Sequence, residues 1–214
     1  MLNINTIIRK IYQNRELIAA FTIRNIELKY KQTFLGILWA LFMPGVIILS
    51  GAIVRIAMAY MMGKTFEFQQ VFSVCVKSIP WTFFIASLKF AVSSLVSNMH
   101  ILQKTNCSRV IFPVSYVISQ FFDFLVASAV FVLIAVFFQS PVSWNIVWLI
   151  PITAILFCFT LGWSILLSAA NLFYRDVRHI VDVVLMFGVF FTLVFFEVDL
   201  FGRGRLFLML NPMG

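Results

Sequence analysis

The chain has 214 residues, of which 62% are hydrophobic and 11% are charged, and its formal net charge is +8. Soluble domains are about 45–50% apolar and about 25% charged, so this composition, with a mean hydropathy of +1.02, excludes a water-soluble fold and predicts a polytopic membrane protein. The basic excess does not indicate nucleic-acid binding, because the charges precede and separate apolar runs. Three cysteines without a CxxC spacing predict neither a disulfide framework nor a metal site.

Residues 1–30 form the first predicted unit, a cytoplasmic helix at the membrane interface. Ile4, Ile7, Ile8 and Ile11 share one helical face, and basic residues that include Arg9 lie beside that stripe. An amphipathic helix of this kind lies on the leaflet with its basic side chains near lipid phosphates. An ordinary solvated lead-in is the alternative, since the stripe is less regular after Leu17.

Residues 31–214 form the second unit, a transmembrane domain with five predicted spans at about 34–54, 79–96, 114–138, 148–173 and 180–196. The first span has no charge over 21 residues, which is about 31 Å of helix and enough to cross the hydrocarbon core. No GxxxxGK phosphate-binding loop occurs in the sequence. The chain is therefore predicted to carry out no ATP chemistry itself and to hold no cofactor.

The distribution of basic residues predicts the orientation. Ten of the sixteen Lys and Arg lie in the N-terminal segment and in the connections after the second and fourth spans, and five lie on the opposite side. By the positive-inside rule the N-terminus is cytoplasmic. We expect a multi-pass protein of the cytoplasmic membrane.

Two charges inside the spans, Lys89 and Asp123, lie at similar predicted depth on neighbouring antiparallel helices. A lone charge at the bilayer centre is costly, so we hypothesise a Lys89–Asp123 ion pair, or a polar cavity that both face. The alternative is that Lys89 extends alone to the interface.

Several spaced motifs resemble the permease subunits of type-2 ABC exporters for polysaccharides, the family that moves O-antigen, capsule and teichoic-acid chains. The two strongest are YKQTFLGILWA at 30–40 and FYRDVRHI at 173–180. The resemblance continues through IPWTFF at 79–84, VIFP at 110–113 and the closing LNP at 210–212. The sequence departs from the family pattern at Asn25, at Glu27 and after Pro113. The family continues into a sixth span, so the chain is expected to be truncated at its C-terminus.

The resemblance implies that two copies of the permease work with two ABC ATPase subunits, which bind ATP and Mg. It also implies that residues 97–110 form a cytoplasmic coupling loop that contacts the ATPase. The expected loop contacts are His100, Gln103, Lys104, Asn106 and Arg109. A plain solvated loop is the alternative. The other expected partners are a lipid-linked polysaccharide and membrane lipids, and no nucleic acid.

Three further sets of residues are candidates for function. The interfacial segment contributes Arg24, Lys29, Tyr30, Lys31, Trp39 and Pro44, and the cytoplasmic junction motif contributes Tyr174, Arg175, Asp176, Arg178 and His179. The two arginines of the junction are interpreted as an anchor and helix cap, or as contacts to a phosphate of lipid or substrate. The family arrangement also makes Phe83, Phe84, Phe190 and Phe191 candidates to line the sugar path.

Two other functions remain open. One is a permease of the same superfamily for drugs or other small hydrophobic molecules. The other is a membrane enzyme acting on lipid-linked sugars, which is disfavoured because the eight acidic residues are scattered and the two histidines are far apart in the sequence.

Overall fold

The structure of the protein is a computed structural model, which describes residues 9, 11–31, 36–61, 69–104, 107–137 and 148–191. Helices and their short connections make up these residues, with no strand among them. The helices are α1 (Arg15–Tyr30), α2 (Trp39–Met61), α3 (Gln69–Ser97), α4 (Met99–Lys104), α5 (Ile111–Phe137), α6 (Leu149–Phe173) and α7 (Asp176–Phe191). A 3₁₀ turn, Gly36–Leu38, precedes α2.

Three of the described helices are long and apolar enough to cross a membrane, over Val74–Ser97, Ile111–Val136 and Leu149–Phe173. A shorter apolar stretch, Trp39–Val54, lies in α2. The prediction of an all-α integral membrane protein is confirmed. The last predicted span coincides with α7 as far as Phe191, and its remaining residues lie outside the described ranges.

Prolines explain where two of the helices begin. Pro113 and Pro151 are each the third residue of their helix, α5 and α6, where a backbone N–H has no intrahelical acceptor in any case. Pro80 instead lies inside α3, which begins ten residues before the predicted start of the second span. Lys77, which precedes the predicted second span, is therefore helical. Pro80 has no N–H to donate to the carbonyl of Val76, a loss that membrane helices tolerate when neighbouring groups supply other hydrogen bonds.

Helix α3 lies at the centre of the described bundle and packs against α2, α5, α6 and α7. One apolar cluster joins Trp81, Phe84 and Leu88 of α3 to Val181 and Leu185 of α7. Because both partners are buried, this contact fixes the position of the last described helix.

A second cluster lies on another side of α3, where Phe83 packs against Phe121 and Phe124 of α5 and Phe157 of α6. Phe83 and Phe84 are thus both core residues, so the expectation that they line a sugar path is wrong. Sequence patterning could not separate core from path, because both favour aromatic rings. The side chains of Phe190 and Phe191 lie outside the described part of the structure.

Helices α3 and α6 run parallel, joined by a seam of small polar side chains. Thr160, Ser164, Ser168 and Asn171 are buried along one face of α6, and the Asn171 amide Nδ2 donates to the carbonyl of Val92, 3.0 Å away. In lipid, apolar packing alone gives little preference for protein over acyl chains, so small and polar residues commonly hold such pairs together.

We predict that Gly188→Ala destabilises the protein. A Cβ at this position of α7 would lie 2.9 Å from Cη2 of Trp81, and the indole is buried and cannot withdraw freely. Overpacking of this kind costs about 1–3 kcal/mol, measurable as a lower thermal unfolding midpoint in detergent. Gly162→Ala is the control, because nothing lies within 4 Å of its added Cβ. Equal midpoints for the two variants would contradict the close α3–α7 contact.

Candidate functional site at the junction of α1 and α5

Helix α1 runs parallel to the first half of α5, and apolar contacts start the pairing. Ile18 packs with Ile111 and Val114, and the rings of Phe21 and Phe112 have centroids 5.0 Å apart. Residue numbers rise together in both helices along the contact, which shows the parallel direction. The predicted interfacial helix is thus covered by protein on one face, and its placement at the lipid surface stays a prediction.

Polar side chains extend the contact between α1 and α5 one to two helical turns further along the chain. The Thr22 hydroxyl donates to the carbonyl of Ile18 at 2.8 Å and lies 3.5 Å from the carbonyl of Ser115. The Asn25 amide Nδ2 donates to the Ser115 hydroxyl at 3.4 Å. Asn25 departs from the family pattern, yet here it holds α1 to α5.

The pairing ends in a cluster of four polar residues, Lys29, Tyr30, Gln120 and Asp123, which we call the α1–α5 cluster. Lys29 forms an ion pair with Asp123, and its Nζ also donates to Oε1 of Gln120 at 3.0 Å. The Tyr30 hydroxyl donates to the other carboxylate oxygen of Asp123. The carboxylate therefore has a partner on each oxygen, and both partners come from the end of α1.

Aromatic rings lie close to the Lys29 ammonium group, and the surroundings of the cluster favour a neutral Tyr30. Lys29 Nζ lies 5.8 Å from the ring centroid of Phe90 and 5.6 Å from that of Tyr30, and aromatic faces attract cations at such distances. Burial, with the hydrogen bond to Asp123 and its charge, raises the pKa of the Tyr30 hydroxyl above its ordinary value. The hydroxyl therefore remains a donor.

The energetic reason for the cluster is the position of Asp123, twelve residues into α5. An unpaired acid at the centre of a membrane helix costs about 2.5–3.5 kcal/mol on insertion scales. The side chains of Lys29 and Asp123 are 30% and 13% exposed, so most of the charge is shielded within one chain. Gln120 was not singled out from the sequence, although its position one turn before Asp123 on the same helix face is a usable signal.

The hypothesised Lys89–Asp123 pair is replaced by two different pairs. Asp123 pairs with Lys29, and Lys89 Nζ lies 3.9 Å from Oδ1 of Asp182 on α7. Depth along the span was the basis of the hypothesis, but the faces differ: Asp123 faces α1, whereas Lys89 faces α7. Lys29 belongs to the interfacial segment, and the sequence alone gives no reason to place that segment beside α5.

The predicted coupling loop contains the short helix α4, which follows α3 after a bend at Asn98. The buried Asn98 amide Nδ2 donates to the carbonyl of Ser94, and the Asn98 carbonyl accepts from the backbone N–H of Ile101. Asn98 thus provides a hydrogen-bond partner for a carbonyl near the end of α3 and for a backbone N–H at the start of α4. Of the predicted contact residues, His100, Gln103, Lys104 and Arg109 are exposed, and Asn106 lies outside the described residues.

The junction motif lies between α6 and α7, and all five of its predicted residues are exposed. The N–H of Tyr174 donates to the carbonyl of Ala170, which ends α6, and α7 begins at Asp176. A carboxylate there is favourable for the helix dipole. Among the described residues, no group of three His, Cys, Asp or Glu could hold a metal ion.

The other residues of the interfacial segment are not drawn into the cluster. Arg24 and Lys31 are exposed, and the rings of Trp39 and Phe42 have centroids 4.9 Å apart on α2. Pro44 lies within α2, and its side chain is outside the described part of the structure. Lys29 and Tyr30 are therefore the two members of the segment that contact a transmembrane helix through charge or hydrogen bonds in the residues described.

A double-mutant cycle tests the cluster. Lys29→Ala and Asp123→Ala each leave a charge without its partner, so each is expected to lower the free energy of unfolding by about 2–3 kcal/mol, less than for a fully buried pair. The double variant should lose less free energy of unfolding than the two single variants lose together, and the difference, the coupling energy, should be about 1–3 kcal/mol. Thermal unfolding in detergent gives these values.

Lys31→Ala is the matched control for the cycle, because Lys31 is exposed at the end of the same helix. Its effect should stay within about 0.5 kcal/mol. Additive effects of Lys29→Ala and Asp123→Ala would contradict the pairing.

Comparison with known proteins identifies relatives over most of the chain. The O-antigen export system permease protein RfbA of Myxococcus xanthus is 25% identical over 210 residues, covering 97% of this chain and 79% of the relative. Two permeases of the same name from Klebsiella pneumoniae are 28% and 27% identical, each covering 86% of this chain and 70% of the relative. No protein-family model matches.

The similarity over 97% of the chain extends beyond any single motif and includes α1 and the three long apolar helices. It agrees with the all-helical membrane architecture and with the motifs at 30–40 and 173–180. The chain is thus similar over most of its length to permease proteins that are named for O-antigen export.

Proposed function

We propose that the protein exports a lipid-linked polysaccharide of the O-antigen type across the cytoplasmic membrane, in a complex of two permease copies and two ABC ATPase subunits. The observation that carries the proposal is the similarity over 97% of the chain to a permease that is named for O-antigen export. Since no GxxxxGK loop occurs in the sequence, ATP and Mg are bound by the ATPase.

The ATPase contact is assigned to α4 and the residues that follow it. This short helix projects from the end of α3 with His100, Gln103 and Lys104 exposed. Such polar side chains are suited to a docked cytoplasmic surface, where charges set the rate and register of association. Arg109 lies just before α5 and extends the same surface.

Movement of α4 has two routes into the bundle. Through Asn98 it is continuous with α3, the central helix. Through residues 107–110 it leads to α5, which the α1–α5 cluster ties to α1. A displacement of α4 by the ATPase is therefore passed to three helices, which is how nucleotide closure reaches the permease path in this proposal.

The orientation follows from the basic residues. With the N-terminus in the cytoplasm, α4 and the junction motif lie on the cytoplasmic side. Arg175 and Arg178 are then placed near lipid phosphates at the membrane surface, where an anionic leaflet attracts basic residues. In this arrangement the two arginines anchor the start of α7.

Co-purification tests the ATPase contact. Lys104→Glu reverses a charge on the exposed side of α4 and is expected to weaken binding of the partner ABC ATPase by about tenfold, equivalent to about 1.4 kcal/mol. Lys104→Arg keeps the charge and should bind like the natural protein. The readout is ATPase recovered with tagged permease, together with surface polysaccharide in cells that carry the complete export locus.

Two results would contradict the proposal. One is a Lys104→Glu variant that recovers the ATPase as well as Lys104→Arg does. The other is a strain lacking this gene whose surface polysaccharide is unchanged while its efflux of small hydrophobic compounds is lost.

A further inference from the structure

Polar side chains form a stripe along one side of α3. Thr82, Lys89, Ser93 and Ser97 are separated by seven, four and four residues, which places them within an arc of about 80° at 100° per residue. Lys89 and Ser97 are exposed, and the other two are half-buried. An ordinary membrane helix surface that faces lipid would be apolar along such a line.

A shorter polar stripe on α7 meets the first one. Arg178 and Asp182 are four residues apart on one face of α7, and Asp182 contacts Lys89 of α3. The exposed apolar residues Ile180, Val184 and Phe187 lie on roughly the opposite side of α7 from Asp182. The first two turns of α7 therefore have a polar side that carries Arg178 and Asp182, whereas one turn later the exposed Met186 makes the same side apolar.

The Lys89–Asp182 pair differs from the Lys29–Asp123 pair in its exposure. Its side chains are 45% and 44% exposed, compared with 30% and 13% for the other pair. Lys89 lies eight residues before the end of α3, about 12 Å along the helix, and Asp182 lies about 9 Å from the start of α7. At this depth a half-exposed ion pair is unfavourable against hydrocarbon, so water or polar groups must cover it.

The geometry of the pair leaves hydrogen-bonding capacity unused. The separation of 3.9 Å between Nζ and Oδ1 exceeds the 2.7–2.9 Å or so of a tight charge-assisted hydrogen bond. An ammonium group has three donors and a carboxylate has about four acceptor sites. A sugar hydroxyl both donates and accepts, so it can bond to the carboxylate and to the ammonium group at once.

We propose that Lys89 and Asp182 line a water-filled path along α3 and α7 and bind hydroxyl groups of the moving sugar chain. This inference rests on the proposed function, since it takes a polysaccharide as the cargo. The opposite charges cancel, so the pair neither repels nor traps a neutral polymer. It offers a polar contact that successive sugar units can exchange with water.

Thiol accessibility tests the path. In a chain with Cys75, Cys107 and Cys158 changed to Ser, single cysteines are placed by Asp182→Cys, by Ser93→Cys and, as the control, by Val184→Cys. Val184 lies two residues from Asp182 on the apolar side of α7 and is 61% exposed. The reagent is the charged sulfonatoethyl methanethiosulfonate, which reacts with thiolates that contact water.

With the permease in membrane vesicles beside its ATPase, Asp182→Cys and Ser93→Cys should react at least about tenfold faster than Val184→Cys, a ratio equivalent to about 1.4 kcal/mol. If Asp182→Cys does not accumulate, the uncharged Ser93→Cys carries the same comparison. Rates as slow as that of Val184→Cys would overturn the proposal. So would a rapid disulfide between two copies at position 182, because the pair would then be covered by a second permease.

Transport separates this proposal from the proposed function. Asp182→Asn and Lys89→Gln keep hydrogen-bonding groups of similar size, so surface polysaccharide should fall by less than it does with Asp182→Leu and Lys89→Leu. Equal export by the Asn and Leu variants would contradict the sugar contact while leaving the exporter function intact. Loss of the whole gene without loss of surface polysaccharide would contradict the exporter function itself.

Discussion

The structure depends on one constraint, that the carboxylate of Asp123 inside an apolar helix must have a partner. Lys29 and Tyr30 supply that partner from the end of α1, and Gln120 completes the set. The consequence reaches well beyond the pair. Since the two residues are at the end of α1, pairing them with Asp123 sets the register of α1 along α5, and the contacts from Ile18 to Asn25 follow from that register.

Polar contacts of this kind are more informative in a membrane protein than apolar ones. A leucine gains little by leaving lipid for another helix, whereas a charge or an amide gains a partner that lipid does not offer. The amide of Asn171 acts similarly, because its hydrogen bond to the carbonyl of Val92 joins the end of α6 to α3. This contact lies close to the junction motif, through which α6 leads to α7.

Much of the architecture could be predicted from composition and charge. Long apolar runs and the prolines at their starts locate α5 and α6, because a first-turn proline needs no hydrogen bond. The beginning of α3 could not be predicted, because Lys77 and Pro80 are typical of a loop and become helical only with neighbours that accommodate them. Composition also does not show which face of a helix is turned towards the core. Phe83 and Phe84 were therefore expected to line a path, although they are core residues.

In the candidate site, too, some features could be predicted from the sequence and others could not. The charges themselves, Lys89 and Asp123, stand out in any hydropathy profile as unfavourable and therefore as significant. Their partners could not be predicted, because the partner depends on which face of each helix meets which neighbour. Asp182 and Lys29 were both visible near the ends of apolar segments, but only the packing of α7 and α1 against the bundle brings them to Lys89 and Asp123.

The central claim is that α1 lies parallel to α5 in a single register held by the α1–α5 cluster. Disulfide cross-linking in native membranes tests it most directly, using Asn25→Cys with Ser115→Cys, whose natural side chains lie 3.4 Å apart, in a chain otherwise without cysteine. The account predicts rapid cross-linking of this pair and none for Glu27→Cys with Ser115→Cys, because Glu27 is exposed away from α5. Cross-linking of Glu27→Cys, or none with Asn25→Cys, would contradict it.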